Sequence, residues 1–137
     1  DGEVEFPPAY TAPLNVLKEY ENHSQVMYYP SYVNEMLSGR SCTESYTHPV
    51  YRGAMLGWDC TPRRKVFHSW YGFSPIWYYR WLRYNIAYTR KHHAPEERFI
   101  FINAWNEWTE GMFLLPDNHD GSERLDKIKE VLETYNN

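Results

Sequence analysis

Two glutamates, Glu107 and Glu110, stand three residues apart in the segment FINAWNEWTEG, residues 101–111. Side chains at this spacing in a helical turn or a tight loop can approach one another. When two carboxyl groups lie close together, one can be kept protonated as an acid while the other stays ionised as a base or nucleophile. Glycoside hydrolysis uses such a pair, with carboxyl groups about 5–5.5 Å apart in retaining enzymes. The spacing therefore indicates acid-base chemistry, with a solvated helix face as the alternative.

The residues around these glutamates suit a sugar ligand. Trp105 and Trp108 can pack against the apolar faces of a sugar ring, and Asn106 can hydrogen-bond its hydroxyl groups. Aromatic residues make up 18% of the chain, which is a high share. We therefore expect these three side chains to contribute to substrate binding.

A second polar segment, GWDCTPRR at residues 57–64, follows an apolar run. Trp58 and Asp59 are predicted to bind the sugar, while the alternative for Asp59 is a cap or a salt bridge to Arg63 or Arg64. The two arginines are able to hold a phosphate group. A solvated loop pair is the alternative reading of the arginines, and Arg63 is retained as a candidate substrate-binding residue.

The elements that must position these residues alternate between strands and helices. Strands are predicted at residues 25–29, 49–59 and 98–105, the last as a parallel strand buried on both faces because residues 99–102 are all apolar. Residues 1–13 are predicted to be irregular, and residues 60–73 to form a loop.

Three helices are predicted to follow the strands. The first lies between Pro30 and Gly39, which suit a helix start and a helix end. The second begins at Ser74 and Pro75 and ends near residues 91–95. Its buried face should carry Tyr78, Leu82 and Ile86, with Trp81 beside them. The third helix should bury Leu125, Ile128, Leu132 and Tyr135.

This order predicts an α/β fold with a parallel sheet and about three β-α units, which matches three-eighths of a (β/α)8 TIM-type barrel. In such folds the chemistry lies on loops after the carboxyl ends of the strands. Asp59, Glu107 and Glu110 all fall at such positions.

Bulk properties narrow the class of protein. The 137 residues carry a formal net charge of −4, so no basic surface for nucleic acid is expected. No apolar run approaches the ~20 residues that a membrane span needs. Cys42 and Cys60 have no metal-site spacing and are read as unpaired thiols of a cytoplasmic protein. No cofactor motif is present, and no metal or cofactor is expected.

The segments NAWNEWTEG, LLPD, GWDCTPRR and DGEVEFPP resemble the blocks of the glycoside hydrolase family 99-like domains, which include the WbsX proteins. The resemblance covers nearly the whole chain and implies one partial domain, residues 1–137. The fold it implies is the C-terminal portion of a (β/α)8 barrel. The expected partners are a glycan or glycoside substrate, and the N-terminal part of the barrel or another copy of the chain.

The resemblance also implies roles for the two glutamates. Glu110 would be the general acid/base, and Glu107 would assist the 2-hydroxyl of an α-mannoside-type sugar, with retention of configuration. The implied setting is polysaccharide or O-antigen metabolism. The alternatives are a glycosyltransferase of lipopolysaccharide biosynthesis and a non-catalytic sugar-binding domain. Two positions depart from the family pattern: Cys60 replaces an asparagine and Leu115 replaces a glutamate.

Overall fold

The computed structural model describes residues 2–8, 16–39 and 48–136 and has a mixed α/β fold. The helices are α1 (Tyr29–Leu37), α2 (Pro75–His92) and α3 (Glu123–Asn136). The strands are β1 (Glu3–Val4), β2 (Val16–Glu19), β3 (Gln25–Tyr28), β4 (Val50–Tyr51), β5 (Gly53–Met55), β6 (Trp58–Asp59), β7 (His68–Tyr71), β8 (Phe101–Asn103), β9 (Asn106–Glu107) and β10 (Met112–Phe113). No helix within these ranges combines the length and apolar character that crossing a membrane requires.

Three short parallel segments lie side by side and form the centre of the fold. Strand β1 pairs with β4, and β5 pairs with β8, both in parallel. Strands β4 and β5 are separated only by Arg52, whose carbonyl accepts a hydrogen bond of 3.0 Å from the Phe101 N–H. The predicted parallel pairing is therefore confirmed for Gly53–Met55 with Phe101–Asn103. The end of the predicted strand at residues 49–59 is an exception, because Trp58–Asp59 forms β6 and pairs antiparallel with β7. Within the described ranges these strands do not close a barrel.

A second sheet lies beside these strands, in the order β2-β3-β7-β6. Strand β3 was predicted, but it pairs in parallel with β7 rather than joining β4 and β5. The prediction of a loop at residues 60–73 is wrong over β7. This strand has four residues, of which only Trp70 is buried, so its sequence shows no clear alternation.

Helix α2 forms the centre of the core and confirms its prediction. Pro75 occupies its first turn, and Tyr78, Trp81, Leu82 and Ile86 are all buried. The Asn85 amide donates a hydrogen bond of 2.8 Å to the Gly53 carbonyl, which attaches α2 to β5. Helix α1 packs its aromatic side chains on the same core, because Tyr32 meets the Trp81 ring edge-on at 5.6 Å.

Three sequence-based expectations need correction. Residues 1–13 are not wholly irregular, since β1 lies within them. The buried face of α3 carries Val131, which is 1% exposed, whereas Leu132 is 48% exposed. Strand β8 is not buried on both faces, because residues 100 and 102 pack against the core while Phe99 and Phe101 are exposed around the Tyr51 ring. In the described part of the chain β8 pairs with β5 alone, so its outer edge stays uncovered.

Candidate functional site

A cavity of about 450 Å³ lies at the carboxyl ends of the parallel strands. All three strand ends contribute to its wall, and the second sheet closes its other side. The lining residues are Phe6 and Pro8 after β1, Trp58, Cys60 and Arg64 after β5, Glu110 after β8, and Met27, Val66, Phe67, His68 and Trp70. This is the edge at which parallel α/β folds place their ligands.

Close contacts between the strands bring these walls together. A Cβ atom at Gly53 would lie 2.1 Å from the Glu5 carbonyl oxygen, so only glycine fits at this point of β5. At the far end of β8, the Asn103 amide donates a hydrogen bond of 2.9 Å to the Pro7 carbonyl. The segment after β1 is thereby fixed beside the segment that leads to the glutamates.

Glu110 is the carboxylate that faces the cavity. Its side chain is 14% exposed, and its Oε1 atom lies 2.9 Å from an Arg63 guanidinium nitrogen. Arg63 is 40% exposed. Glu110 ends a 3₁₀ turn, residues Trp108–Glu110, which Gly111 terminates with a left-handed backbone at φ 63°. The turn thus presents one acid to the cavity, and Arg63, from the segment after β6, supplies its counter-charge.

The Trp58–Asp59 corner packs against the end of this turn. Gly111 packs on Asp59, because a Cβ atom at Gly111 would lie 3.3 Å from the Asp59 backbone nitrogen. The Asp59 carboxylate accepts a hydrogen bond of 2.9 Å from the Thr61 N–H, so it caps the next turn. In that turn the N–H groups of Arg63 and Arg64 both donate to the Cys60 carbonyl, at 3.1 and 3.0 Å. Because Arg63 forms its ion pair with Glu110, the salt bridge to Asp59 that was the alternative is not observed.

Glu107 does not line the cavity, although it lies on the same hairpin whose connecting turn carries Glu110. It belongs to the β9–β10 hairpin, where it is paired with Met112, and it accepts a hydrogen bond from the Thr109 hydroxyl. Its side chain is half-buried and is not one of those that line the cavity. The structure brings Glu110, in the connecting turn of this hairpin, together with Trp58, Arg63 and Arg64, and places Glu107 in the strand before that turn.

Three predicted substrate-binding residues also lie on that hairpin. Trp105, Asn106 and Trp108 are exposed and do not line the cavity. The Trp108 ring stacks on Phe113, with the ring centroids 4.0 Å apart. The Trp105 carbonyl accepts hydrogen bonds from the N–H groups of Leu114 and Leu115, at 2.9 and 3.3 Å. The hairpin therefore carries an exposed aromatic surface beside the cavity.

Cys60 is a free thiol in the cavity wall and is 5% exposed. Burial raises its pKa, and the negative charge of Glu110 raises that pKa further, while Arg63 and Arg64 oppose the shift. Cys42 lies outside the described residues. Within the described ranges, no group of three His, Cys, Asp or Glu side chains is arranged to hold a metal ion.

Sequence reasoning missed part of the cavity wall. Phe6 and Pro8 lie in the DGEVEFPP block, so that block already carried a signal for them. Met27 and Phe67 carry no such signal, because they reach the cavity only through the pairing of β3 with β7 and the chain that precedes β7.

Comparison with known proteins follows the same segments. The family described as glycosyltransferase WbsX matches residues 6–128. A protein named uncharacterized protein WxcX from Xanthomonas campestris pv. campestris, strain ATCC 33913, is 32% identical, over 96% of this chain and 19% of that protein. The WxcX protein of strain B100 is 31% identical over the same shares. The chain thus spans about a fifth of the length of these curated relatives. No solved structure matches it.

Proposed function

The chain belongs to the glycosyltransferase WbsX family, and we propose that it supplies the acid/base residue of a carbohydrate-active site. In this proposal Glu110 protonates the glycosidic oxygen of an α-mannoside-type sugar as the bond to the leaving group breaks, and its carboxylate then deprotonates the incoming water or acceptor hydroxyl, with retention of configuration. The observation that carries the proposal is the position of the Glu110 carboxylate, which lines the cavity at the carboxyl ends of the parallel strands. The physiological setting that we propose is polysaccharide or O-antigen metabolism.

The composition of the cavity supports a sugar ligand. Its volume of about 450 Å³ falls within the range of ligand pockets. The indole rings of Trp58 and Trp70 meet edge-on in its wall, with ring centroids 6.3 Å apart. Aromatic faces of this kind pack on the C–H groups of a sugar ring, while Glu110 reaches the polar linkage. An acid in a largely apolar wall is also shielded from bulk water, which strengthens its interactions with a bound substrate.

Glu107 has a secondary place in this proposal. We propose that it assists the 2-hydroxyl group of the sugar. For this its carboxylate must leave the Thr109 hydroxyl and turn toward the cavity. The link between the two glutamates is short, because the 3₁₀ turn that begins at Trp108 directly follows Glu107. In this proposal the Glu107 side chain must therefore reorient on a hairpin that it shares with Glu110.

The wider domain forms part of the same proposal. We place residues 1–137 in the C-terminal part of a (β/α)8 domain. The support is the parallel order of β1, β4–β5 and β8, with helices packed on one side. The remaining wall of the substrate site would come from another part of that domain or from a second copy of the chain.

Transfer of the sugar to an acceptor other than water is the second candidate function. Apolar side chains, including Phe6, Met27 and Phe67, form much of the cavity wall next to Glu110. A wall of this kind disfavours water as the acceptor and favours a second sugar hydroxyl. The description of the family as glycosyltransferases points in the same direction.

The test uses the complete natural chain and an α-mannoside whose leaving group is itself a sugar. The hydroxyl group of such a sugar is a poor leaving group, so it departs only when an acid protonates its oxygen. We expect Glu110→Gln to lower turnover by about 10²–10⁴-fold, the usual contribution of a general acid/base. Glu96→Gln, in an exposed 3₁₀ turn, is the matched control and should leave turnover unchanged.

Product analysis separates the candidate functions. Free mannose indicates hydrolysis, and a new oligosaccharide formed with an added acceptor indicates transfer. Equal turnover of the Glu110→Gln and Glu96→Gln variants would refute the role of Glu110. Sugar binding that persists in the Glu107→Gln and Glu110→Gln variants, with no product from any variant, would assign a non-catalytic sugar-binding domain instead.

A further inference from the structure

Two consecutive arginines at the cavity have different electrostatic surroundings. Arg63 forms an ion pair with Glu110 at 2.9 Å. Arg64 lines the cavity, and none of the described residues forms an ion pair with it. The charge of Glu110 is thus compensated by the first arginine, whereas the charge of the second remains for another group.

The backbone fixes both arginines at this position. Their N–H groups donate to the same acceptor, the Cys60 carbonyl, and Cys60 itself lies in the cavity wall. Glu110 is the acid in the cavity wall, and Arg63 offsets its charge, while the Asp59 carboxylate caps the same turn through the Thr61 N–H. The Arg64 guanidinium in the wall thus has no carboxylate partner among the described residues and can attract an anionic ligand group.

We propose that Arg64 recognises an anionic group, a phosphate or a carboxylate, on the sugar substrate. This inference rests on the proposed function, because it names the class of sugar that the Glu110 site takes. The planar guanidinium group binds either anion through two parallel hydrogen bonds. Arg63 makes the arrangement compatible with an anion, because it offsets the charge of Glu110 that would otherwise repel the ligand. The two arginines therefore divide their tasks between holding the acid and selecting the substrate.

The test measures binding of three probes to the complete natural chain by tryptophan fluorescence, since Trp58 and Trp70 lie in the cavity wall. The probes are methyl α-mannoside, α-mannose 1-phosphate and the methyl glycoside of the matching uronic acid. We expect at least one anionic probe to bind about tenfold or more tightly than the neutral one, the advantage that a charged hydrogen bond typically provides. The comparison of the two anionic probes shows whether the anion is a phosphate or a carboxylate.

Substitutions test whether Arg64 causes the tighter binding of the anionic probe. Arg64→Gln should abolish the advantage of the anionic probe, so that this probe loses far more affinity than methyl α-mannoside does. Arg64→Lys should restore part of the advantage, because lysine keeps the charge without the planar fork. Lys65→Gln is the matched control, since Lys65 is the next residue, is exposed and does not line the cavity. This variant should keep the full advantage.

The outcomes separate this inference from the proposed function. If the neutral glycoside is bound and turned over through Glu110 while neither anionic probe binds more tightly, the inference is wrong and the proposed function stands. The inference is also wrong if Arg64→Gln and Lys65→Gln weaken binding of the anionic probe equally. If no probe binds to the protein, both the inference and the proposed function are overturned.

Discussion

Replacement of Gly111 by alanine should displace the turn that carries Glu110. Gly111 has a left-handed backbone, at φ 63°, and its missing Cβ would lie 3.3 Å from both the Cβ and the backbone nitrogen of Asp59. Gly121 offers a matched control, because it has a similar φ of 56° and nothing within 4 Å of its missing Cβ. The two substitutions therefore share the backbone effect and differ in the contact with Asp59.

The expected magnitudes follow from these two terms. A left-handed backbone costs a residue with a Cβ atom about 1–2 kcal/mol, so Gly121→Ala should destabilise the fold by about that amount. At Gly111 the added methyl group also presses on Asp59, and overpacking of this kind typically costs about 1–3 kcal/mol. We therefore expect a loss of about 2–5 kcal/mol for Gly111→Ala.

Urea unfolding of the two variants measures both values, and the binding of a mannoside probe measures the effect on the site. Gly111→Ala should be the less stable variant by about 1 kcal/mol or more and should also bind the probe more weakly, because the Glu110 turn shifts away from Asp59. Gly121→Ala should bind normally. Equal free energies of unfolding, with normal binding by both variants, would refute the view that the Gly111–Asp59 contact fixes the turn.

Three further predictions concern other parts of the molecule. Alkylation of Cys60 should be slow at pH 8, because burial and Glu110 raise its pKa, and Glu110→Gln should accelerate it; mass spectrometry of the labelled peptide checks this. The backbone N–H of Asp120, more than any other group, holds the pKa of Asp117 below its ordinary value. The resulting stabilisation is present above the unfolded pKa of about 3.9 and is lost as pH falls through the lower folded value. The melting temperatures of the parent and Asp117→Asn should therefore converge in acid. Val131→Ala should cost about 1.5–3 kcal/mol in urea unfolding because this side chain is fully buried.

Local signals in the sequence were enough to predict the long helices. Helix α2 has a proline in its first turn and a regular apolar face, so its bounds and its buried residues were both predicted. Helix α3 was predicted, but the prediction buried Leu132, whereas in the structure Val131 is buried and Leu132 is exposed. Both residues are apolar, and only the direction from which α2 packs against α3 decides which of them is buried.

The sheets were harder to predict, because their pairing depends on distant segments. Strand β1 has two residues and is held by β4, more than forty residues later in the chain. Residues 99–102, which lead into and begin β8, are all apolar, a pattern that cannot distinguish a strand buried on both faces from one with an exposed face. Phe99 and Phe101 are exposed because they lie on the face opposite to residues 100 and 102, which pack against the core.

Some of the candidate residues named from the sequence lie at the cavity and others do not. Glu110 and Trp58 line it, and Arg63 pairs with Glu110, whereas Glu107 lies in the strand before the Glu110 turn and does not line it. The alternative of a cap for Asp59 agrees with its hydrogen bond to the Thr61 N–H. The ion pair of Arg63 with Glu110 could not be predicted, because these residues are distant in sequence and meet only through the contact of Gly111 with Asp59.

The cavity also has a consequence for how the chain is made. Its wall begins with Phe6 and is completed by Glu110, so the ribosome must add 110 − 6 = 104 further residues before the site can assemble. At about 5–20 residues per second, this takes about 5–20 seconds. Phe6 is present throughout that interval and Trp58 during its second half, while the turn that carries Glu110 has not yet been synthesised. The nascent chain therefore exposes aromatic surface for seconds, and chaperones that bind such surface have time to act on it.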